Sequence, residues 1–315
     1  VSGGPDSMAL AFCVKRWAER PCVAFIVEHG LRSESAAEAV EVQKRLQGMG
    51  IMSEILPWKH AKISQKIHEV AREARYSLLF EACRRHGASD LLLAHHAGDQ
   101  AETILMRLAK GSGIDGLAGI PQVSDREGLR LLRPFLTVSK ERLQATCAQA
   151  NLAPVTDPSN ASEKYARGRL RKIMPLLAAE GLTVESLIAL GARAREAKEA
   201  LDCVTCEFLD KAAKDEEGGC ILLDRAALRA APRAIALRAL ALSLRVVHDD
   251  PYPPEYAALS SLLEAVTGHE ADVTRTLYGC LASVTEKRIM LMREPSAASE
   301  SLPLPAGATV LWDNR

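Results

Sequence analysis

Aromatic side chains are scarce in this chain, 4% of its 315 residues, which argues against an RNA platform built on many stacking rings. Net charge is lacking as well. Forty Lys and Arg balance forty Asp and Glu, so any nucleic-acid contact must come from local patches rather than from an overall basic field. No apolar run approaches the ~20 residues that cross a bilayer, and no secretory leader is visible. No membrane partner is expected, therefore, and a cytoplasmic location is. The eight cysteines are dispersed, as suits a reducing compartment. Only Cys203 and Cys206 are closely spaced. Without a second such pair or clustered histidines they read as two half-buried thiols on one helix face, not as a zinc site. What remains is ordinary for a globular protein, 48% hydrophobic and 25% charged, with length enough for two domains.

The most informative stretch is the first. Val1-Ser2-Gly3-Gly4-Pro5-Asp6-Ser7 runs into the apolar Met8-Ala9-Leu10-Ala11-Phe12, the composition of an anion cradle. Glycines let backbone approach a ligand closely, and the N–H groups of a following helix attract phosphate oxygens. Ser2 and Ser7 add hydroxyl donors, and Asp6 could hold a magnesium ion bridging phosphates. The turn has no lysine, so it is not the G-x-x-x-x-G-K-[ST] loop. An ordinary glycine turn capping a helix is the bland alternative.

Short buried-strand patterns at Cys22–Val27, Ile51–Leu56, Asp90–Ala94 and Leu129–Leu132 alternate with helical patterns to Met49, over 63–86, over 99–109 and over 139–150. Such alternation predicts an α/β fold, a doubly wound parallel sheet with ligands beyond the strands' carboxyl ends. The polar clusters at 2–7, 28–35 and 95–102 each follow a predicted strand. From about Met174 the character changes. Helices over 184–213, 232–247 and 255–267, with short strands at 273–276, 280–285 and 288–292, predict a second, mainly helical domain with a small β extension. The boundary is expected at 180/181, giving domains of 1–180 and 181–315.

Asp99 and Glu102 stand three residues apart at a predicted helix start. Capping explains them, with Asp99 as N-cap and Glu102 reaching back. So does chemistry: two carboxylates at the sheet edge could hold magnesium, steer an ammonium group or take its proton. Arg32 could reach phosphate or merely pair with Glu34, and Arg72 and Arg75 could be a surface ion-pairing couple, or Arg72 could neutralise developing charge on an α-phosphate. From Lys164 to Lys172 the cations Arg167, Arg169 and Arg171 meet no acid, a one-sidedness that suits a phosphate backbone.

Ser-Gly-Gly-x-Asp-Ser resembles the PP-loop of N-type ATP pyrophosphatases, which activate an oxygen with AMP and release pyrophosphate. In that superfamily the loop follows a buried first strand. Here Val1 opens the chain, so that strand is expected to be missing or reduced to its last residue, and the carboxyl end is expected to be incomplete too. The ordered set narrows the resemblance: the opening loop, His-Gly-Leu-Arg-x-Glu-Ser at 29–35, Ala-Arg-x-x-Arg-Tyr at 71–76, and Ala-His-His-x-x-Asp-Gln-x-Glu-Thr at 94–103. Gly-Ser-Gly at 111–113, Arg133-Pro134 and Asp-Pro-Ser-Asn at 157–160 complete it. Together these are similar to the tRNA(Ile)-lysidine synthetases. Glu28, Gly98 and Gly168 depart from the usual pattern.

The resemblance implies ATP-dependent ligation of free L-lysine to C2 of the first anticodon cytidine of CAU-anticodon tRNA(Ile), through an adenylated base. ATP is then a co-substrate and Mg2+ its companion, on Asp6 and Asp99. Ser2, Gly3, Gly4, Pro5, Asp6, Ser7, His29 and Arg32 would bind ATP. Asp6, Arg72, Asp99 and Glu102 would be catalytic, and Lys164, Arg167, Arg169, Arg171 and Lys172 would contact the tRNA. A tRNA cytidine thiolase, a catalytically dead tRNA-binding module and an amide-forming ligase are the alternatives. The oligomeric state is left open, a homodimer included.

Overall fold

The computed structural model describes residues 1–31, 34–60, 67–155, 166–216, 219–249, 253–270, 272–303, 306–307, 309–310 and 313. The chain forms two compact units, Val1–Arg195 and Glu196–Arg315. The first runs α1 (Pro5–Trp17), β1 (Val23–Glu28), α2 (Ser35–Gly48), β2 (Met52–Pro57), α3 (Ile67–Arg85), β3 (Asp90–Leu92) and α4 (Ala97–Ala109). It continues with α5 (Ile114–Leu117), β4 (Val123–Arg126), β5 (Leu129–Leu132), α6 (Lys140–Gln149), α7 (Ala166–Ala179) and the first turns of α8 (Val184–Ala212).

Strand β1 shows how the layers arise. Successive side chains of a strand point to opposite faces. Ala24 and Ile26 therefore join Met8 and Ala9 of α1, Val42 and Leu46 of α2, and Leu143 and Cys147 of α6 on one side. Phe25 joins Tyr76, Leu79, Phe80 and Cys83 of α3 on the other, together with Leu91 and Leu131 of the neighbouring strands. Those four α3 residues lie at helical spacing, and Ala82 and Leu78 beside them widen the stripe that faces the strand. Helices cover both faces, as the doubly wound expectation requires.

β1 pairs with β2 in parallel and β3 with β5 in parallel. β4 lies antiparallel on β5, a hairpin strand that the sequence reading does not assign; its Val-Ser-Asp-Arg is too polar to signal one. The two strand groups are hydrogen-bonded separately. A wide cleft is lined by β1, by β3 and by the opening loop.

The second unit contains the rest of α8 and β6 (Ala213–Glu216), β7 (Cys220–Asp224), α9 (Arg225–Ala230), α10 (Arg233–His248), α11 (Tyr256–Thr267), β8 (Thr274–Leu277), β9 (Cys280–Val284) and β10 (Arg288–Arg293). The strands form one antiparallel sheet in the order β6-β7-β10-β9-β8. This is more β structure than the small extension foreseen, because β6 and β7 carry too short a pattern to be read. The sheet packs with α10 and α11 around Leu223, Leu240, Leu244, Leu263, Ile289 and Leu291. Arg225, 2% exposed, donates to the carbonyls of Val266, Gly268 and Thr285 at 2.9, 2.7 and 3.0 Å and to that of Glu270.

The unit boundary falls inside α8, later than the 180/181 suggested by composition. Leu187 packs with Ala101, Ile104 and Leu105 of α4, which draws the start of α8 into the first unit.

Candidate active site

The opening loop is shaped by a single close approach. Gly3 has φ +83°, and a Cβ there would meet Val42 Cγ2 at 2.5 Å, so only glycine fits. Gly4 caps α1 in extended conformation and Pro5 occupies its first position, where a missing N–H costs nothing. Ser7 Oγ accepts from the Ser2 N–H at 3.1 Å and donates to the Gly4 carbonyl at 3.1 Å. The Ser2 and Ser7 hydroxyls are 3.3 Å apart. The Val155 N–H donates to the Gly3 carbonyl at 2.9 Å, and Cys147 Sγ to that of Pro5 at 3.3 Å. Ser2, Gly4, Pro5, Asp6 and Ser7 line the cleft.

Across from this loop, α4 begins with His96, not Asp99, as its N-cap. His96 Nδ1 accepts from the Gly98 N–H at 2.9 Å, and Asp99 Oδ2 accepts from the His96 N–H at 3.1 Å. This corrects the capping expected from sequence: Asp99 is the residue that reaches back, and Glu102 takes no part. Gly98 permits it, since a Cβ there would lie 2.8 Å from His96 Cε1. A neutral imidazole whose Nδ1 accepts carries its proton on Nε2. That Nε2 lies 3.8 Å from Asp6 Oδ2 and 3.8 Å from Asp99 Oδ2. One ring thus stands between the carboxylate of the loop and the carboxylate of α4.

Asp6 Oδ1 is buried and meets no hydrogen-bond partner among the described residues. An orphaned carboxylate oxygen beside a phosphate cradle fits Mg2+, which is held by one or two carboxylates with phosphate and water completing its shell. Among the described residues no group of three or more His, Cys, Asp or Glu could hold a metal ion alone, and Mg2+ bound with nucleotide does not require one.

His95 also lines the cleft, with Nδ1 buried and without a partner among the described residues. Burial, with the charges of Arg133, Arg75 and Arg72, lowers its pKa to about 4 against the pull of Asp99. The ring is neutral at physiological pH. Arg72 lies over the Tyr76 ring, 5.2 Å from its centroid, and lines the cleft with Arg75.

Glu102, 4% exposed, takes Arg171 of α7. Arg171 Nε donates to Oε1 at 2.5 Å and Nη2 to Oε2 at 3.3 Å, while Nη2 lies 3.9 Å from Asp99 Oδ1. Its hydrogen bond to the Glu102 carboxylate holds the guanidinium above its usual range. Arg171, expected as a tRNA contact, here stands on the acid pair. Arg167 and Lys172 share its face and line the cleft; Arg169 does not. Lys164, Arg32 and the Asp-Pro-Ser-Asn segment at 157–160 lie outside the described residues.

His29 lines the cleft, its Nδ1 accepting from the Leu31 N–H at 3.1 Å and its carbonyl 3.0 Å from His60 Nε2. Glu28 Oε1 accepts from the Gly30 N–H at 2.8 Å and from Ser35 Oγ at 2.5 Å. The glycine-rich stretch at 111–119 is held as scaffold. Arg107 Nη1 donates to the carbonyls of Gly116 and Gly119, both at 2.8 Å, and Gln100 exchanges two bonds with the backbone of Ile120.

A PP-loop domain family model matches residues 1–177. A tRNA(Ile)-lysidine synthase of Methylobacterium sp. (strain 4-46) is 42% identical over 304 residues, covering 94% of this chain and 88% of that protein. The chain belongs to the tRNA(Ile)-lysidine synthase family. Proteins of the same name from Methylobacterium nodulans (46% identical, 78% of this chain and 74% of that one) and Ruegeria pomeroyi (38%, 100% and 74%) are similar as well. As a lysidine synthase family member the chain is a PP-loop, ATP-using ligase of tRNA modification. Among solved structures, the U34-tRNA thiolase NcsA of Methanococcus maripaludis with its [4Fe-4S] cluster shares the fold. Its TM-score is 0.53 at 16% identity, over 62% of this chain and 70% of that one.

The two histidines were inside a recognised motif, but their roles were not legible. The Arg171–Glu102 contact joins residues far apart in sequence and left no local signal.

Proposed function

We propose that this lysidine synthase family member joins the ε-amine of free L-lysine to C2 of the first anticodon cytidine of a CAU-anticodon tRNA(Ile). The cytidine C2 oxygen attacks the α-phosphate of ATP and pyrophosphate leaves; the amine then displaces AMP at C2. The observation that carries this reading is the imidazole of His96 set between Asp6 of the phosphate loop and Asp99 of the acid pair. Diphosphate handling and amine handling are brought to one point.

The N–H groups and hydroxyls of 2–7 hold the outgoing diphosphate. Arg72 screens the charge of the α-phosphate. Asp6 and Asp99 would hold Mg2+, which supplies charge neutralisation on phosphate oxygens. Lysine's amine arrives protonated, with a reference pKa of about 10.4, so Asp99 and Glu102 recruit the cation and take its proton before attack. His29 lies at the nucleotide end, and Arg167 and Lys172 face RNA phosphates. A cytoplasmic location accords with the dispersed thiols, and no single helix among the described residues is long and apolar enough to cross a membrane. A thiolase reading would require sulfur-carrying ligands. Cys203 and Cys206 are exposed on α8 rather than half-buried as expected, in the other compact unit from the phosphate loop.

The test is radiolabelled lysine transfer to CAU-anticodon tRNA(Ile). Incorporation that needs ATP supports the reading, whereas ATP-dependent thiolation without lysine uptake overturns it.

A further inference from the structure

Glu102 sits where a charge is costly. Its side chain is 6% exposed on a helix whose neighbours Ala101, Ile104 and Leu105 are buried, and a carboxylate so placed needs a cation. The cation present is Arg171. Its two-pronged grip takes both Glu102 oxygens, and the same guanidinium faces Asp99 Oδ1, while Asp99 Oδ2 is engaged by the His96 N–H. An arriving ammonium would therefore find Arg171 beside each oxygen it needs, and two like charges there repel. The guanidinium can leave where the carboxylate cannot: the Arg171 side chain is 38% exposed, that of Glu102 6%. Arg171 also shares its cleft-facing side with Arg167 and Lys172, and no acid occurs from 166 to 172. A phosphate backbone laid on that face competes with the acids for the same guanidinium.

We propose that Arg171 is a resident stand-in for the ε-ammonium of lysine, occupying Asp99 and Glu102 until RNA phosphates draw it away and the amine takes its place. The inference rests on the lysine-transferring reading of this site. Its consequence is a lysine pocket that is complete only when RNA is seated. Because coupling between two ligands is reciprocal, lysine must then tighten RNA binding by the factor by which RNA tightens lysine binding.

The experiment is equilibrium dialysis of radiolabelled lysine against the full chain with α,β-methylene-ATP, with and without the CAU anticodon stem-loop. Wild type, Arg171→Gln and Arg171→Lys are compared, and circular dichroism verifies the fold of each. In wild type the RNA should raise lysine affinity about tenfold, within the usual span of such couplings. Arg171→Gln should bind lysine without RNA as tightly as wild type does with it, and gain nothing further. Arg171→Lys, keeping the charge but losing the fork, should fall between. An RNA-independent wild-type affinity overturns the proposal whether or not the variants fold, as does a folded Arg171→Gln whose lysine binding is unchanged or weaker. Lysine incorporation by wild type is measured beside it: if it persists, only the stand-in role fails, and if it is absent the underlying reading fails too.

Discussion

The imidazole of His96 caps the helix that carries Asp99 and lies between that carboxylate and Asp6. Replacing Asp99 by Asn keeps an oxygen for the His96 N–H but removes the charge facing the amine. Asp99→Asn should therefore lower lysine-dependent turnover by about 10²–10⁴-fold, the usual worth of a positioned acid–base group. Its melting temperature should stay within a few degrees of wild type. Normal turnover in a folded Asp99→Asn enzyme would remove Asp99 from the mechanism. His95 gives a pH signature. Its folded pKa of about 4 lies below the ordinary histidine value of 6.5, so between those values the unfolded chain binds a proton that the folded one refuses. The stability due to neutral His95 is fully present above pH 6.5 and falls as pH drops toward 4. At about 1.36 kcal/mol per unit the loss totals about 3 kcal/mol. Denaturant unfolding of wild type and His95→Gln at pH 7 and pH 5 should show the smaller drop in the variant.

Elements place these groups, and here the sequence was legible unevenly. β1 was readable because Cys22–Val27 is a continuous apolar run, buried on both faces at Ala24, Phe25 and Ile26. α3 was readable as a helix from the spacing of Ile63, Ile67, Val70, Ala74, Leu78 and Cys83. The stripe it buries, however, is Tyr76, Leu79, Phe80 and Cys83, and Val70 is exposed. The opening loop was readable because glycine, serine and aspartate at that spacing serve few purposes. The start of α4 was misread because histidine is an uncommon cap and Asp99 a common one; backbone geometry decided between them. β4, β6 and the Arg171–Glu102 contact depend on partners distant in sequence, which no local pattern encodes. The 111–120 segment was legible only as glycine-rich, whereas its order comes from Gln100, 3% exposed, which serves both backbone groups of Ile120. Gln100→Ala leaves that N–H without its partner, the C=O keeping a longer contact to Arg195, at about 1–3 kcal/mol. A lowered midpoint in denaturant would register it, and an unchanged one would show that water replaces the amide.

At the scale of the molecule, the two compact units have separate cores. The apolar clusters of the first draw on residues up to Leu187, and that of the second on residues from Phe208 onward. Arg225 belongs wholly to the second and satisfies four of its carbonyls. Arg225→Met should leave the Val266, Thr285 and Glu270 carbonyls without this donor, the Gly268 carbonyl keeping Arg229, and destabilise that unit by several kcal/mol. Limited proteolysis should then cut beyond residue 196 first, while the 1–195 unit still binds ATP. Simultaneous loss of both units would show that they unfold as one.

The tie between Gly3 and Val155 sets an order of events during synthesis. The nucleotide cradle precedes α6 by more than a hundred residues, yet its carbonyl is closed by backbone at 155, and its helix rests on α6. A ribosome-bound chain that has not yet emitted α6 and Val155 carries the signature residues without the shape that grips a triphosphate, so nucleotide capture waits until residue 155 has emerged.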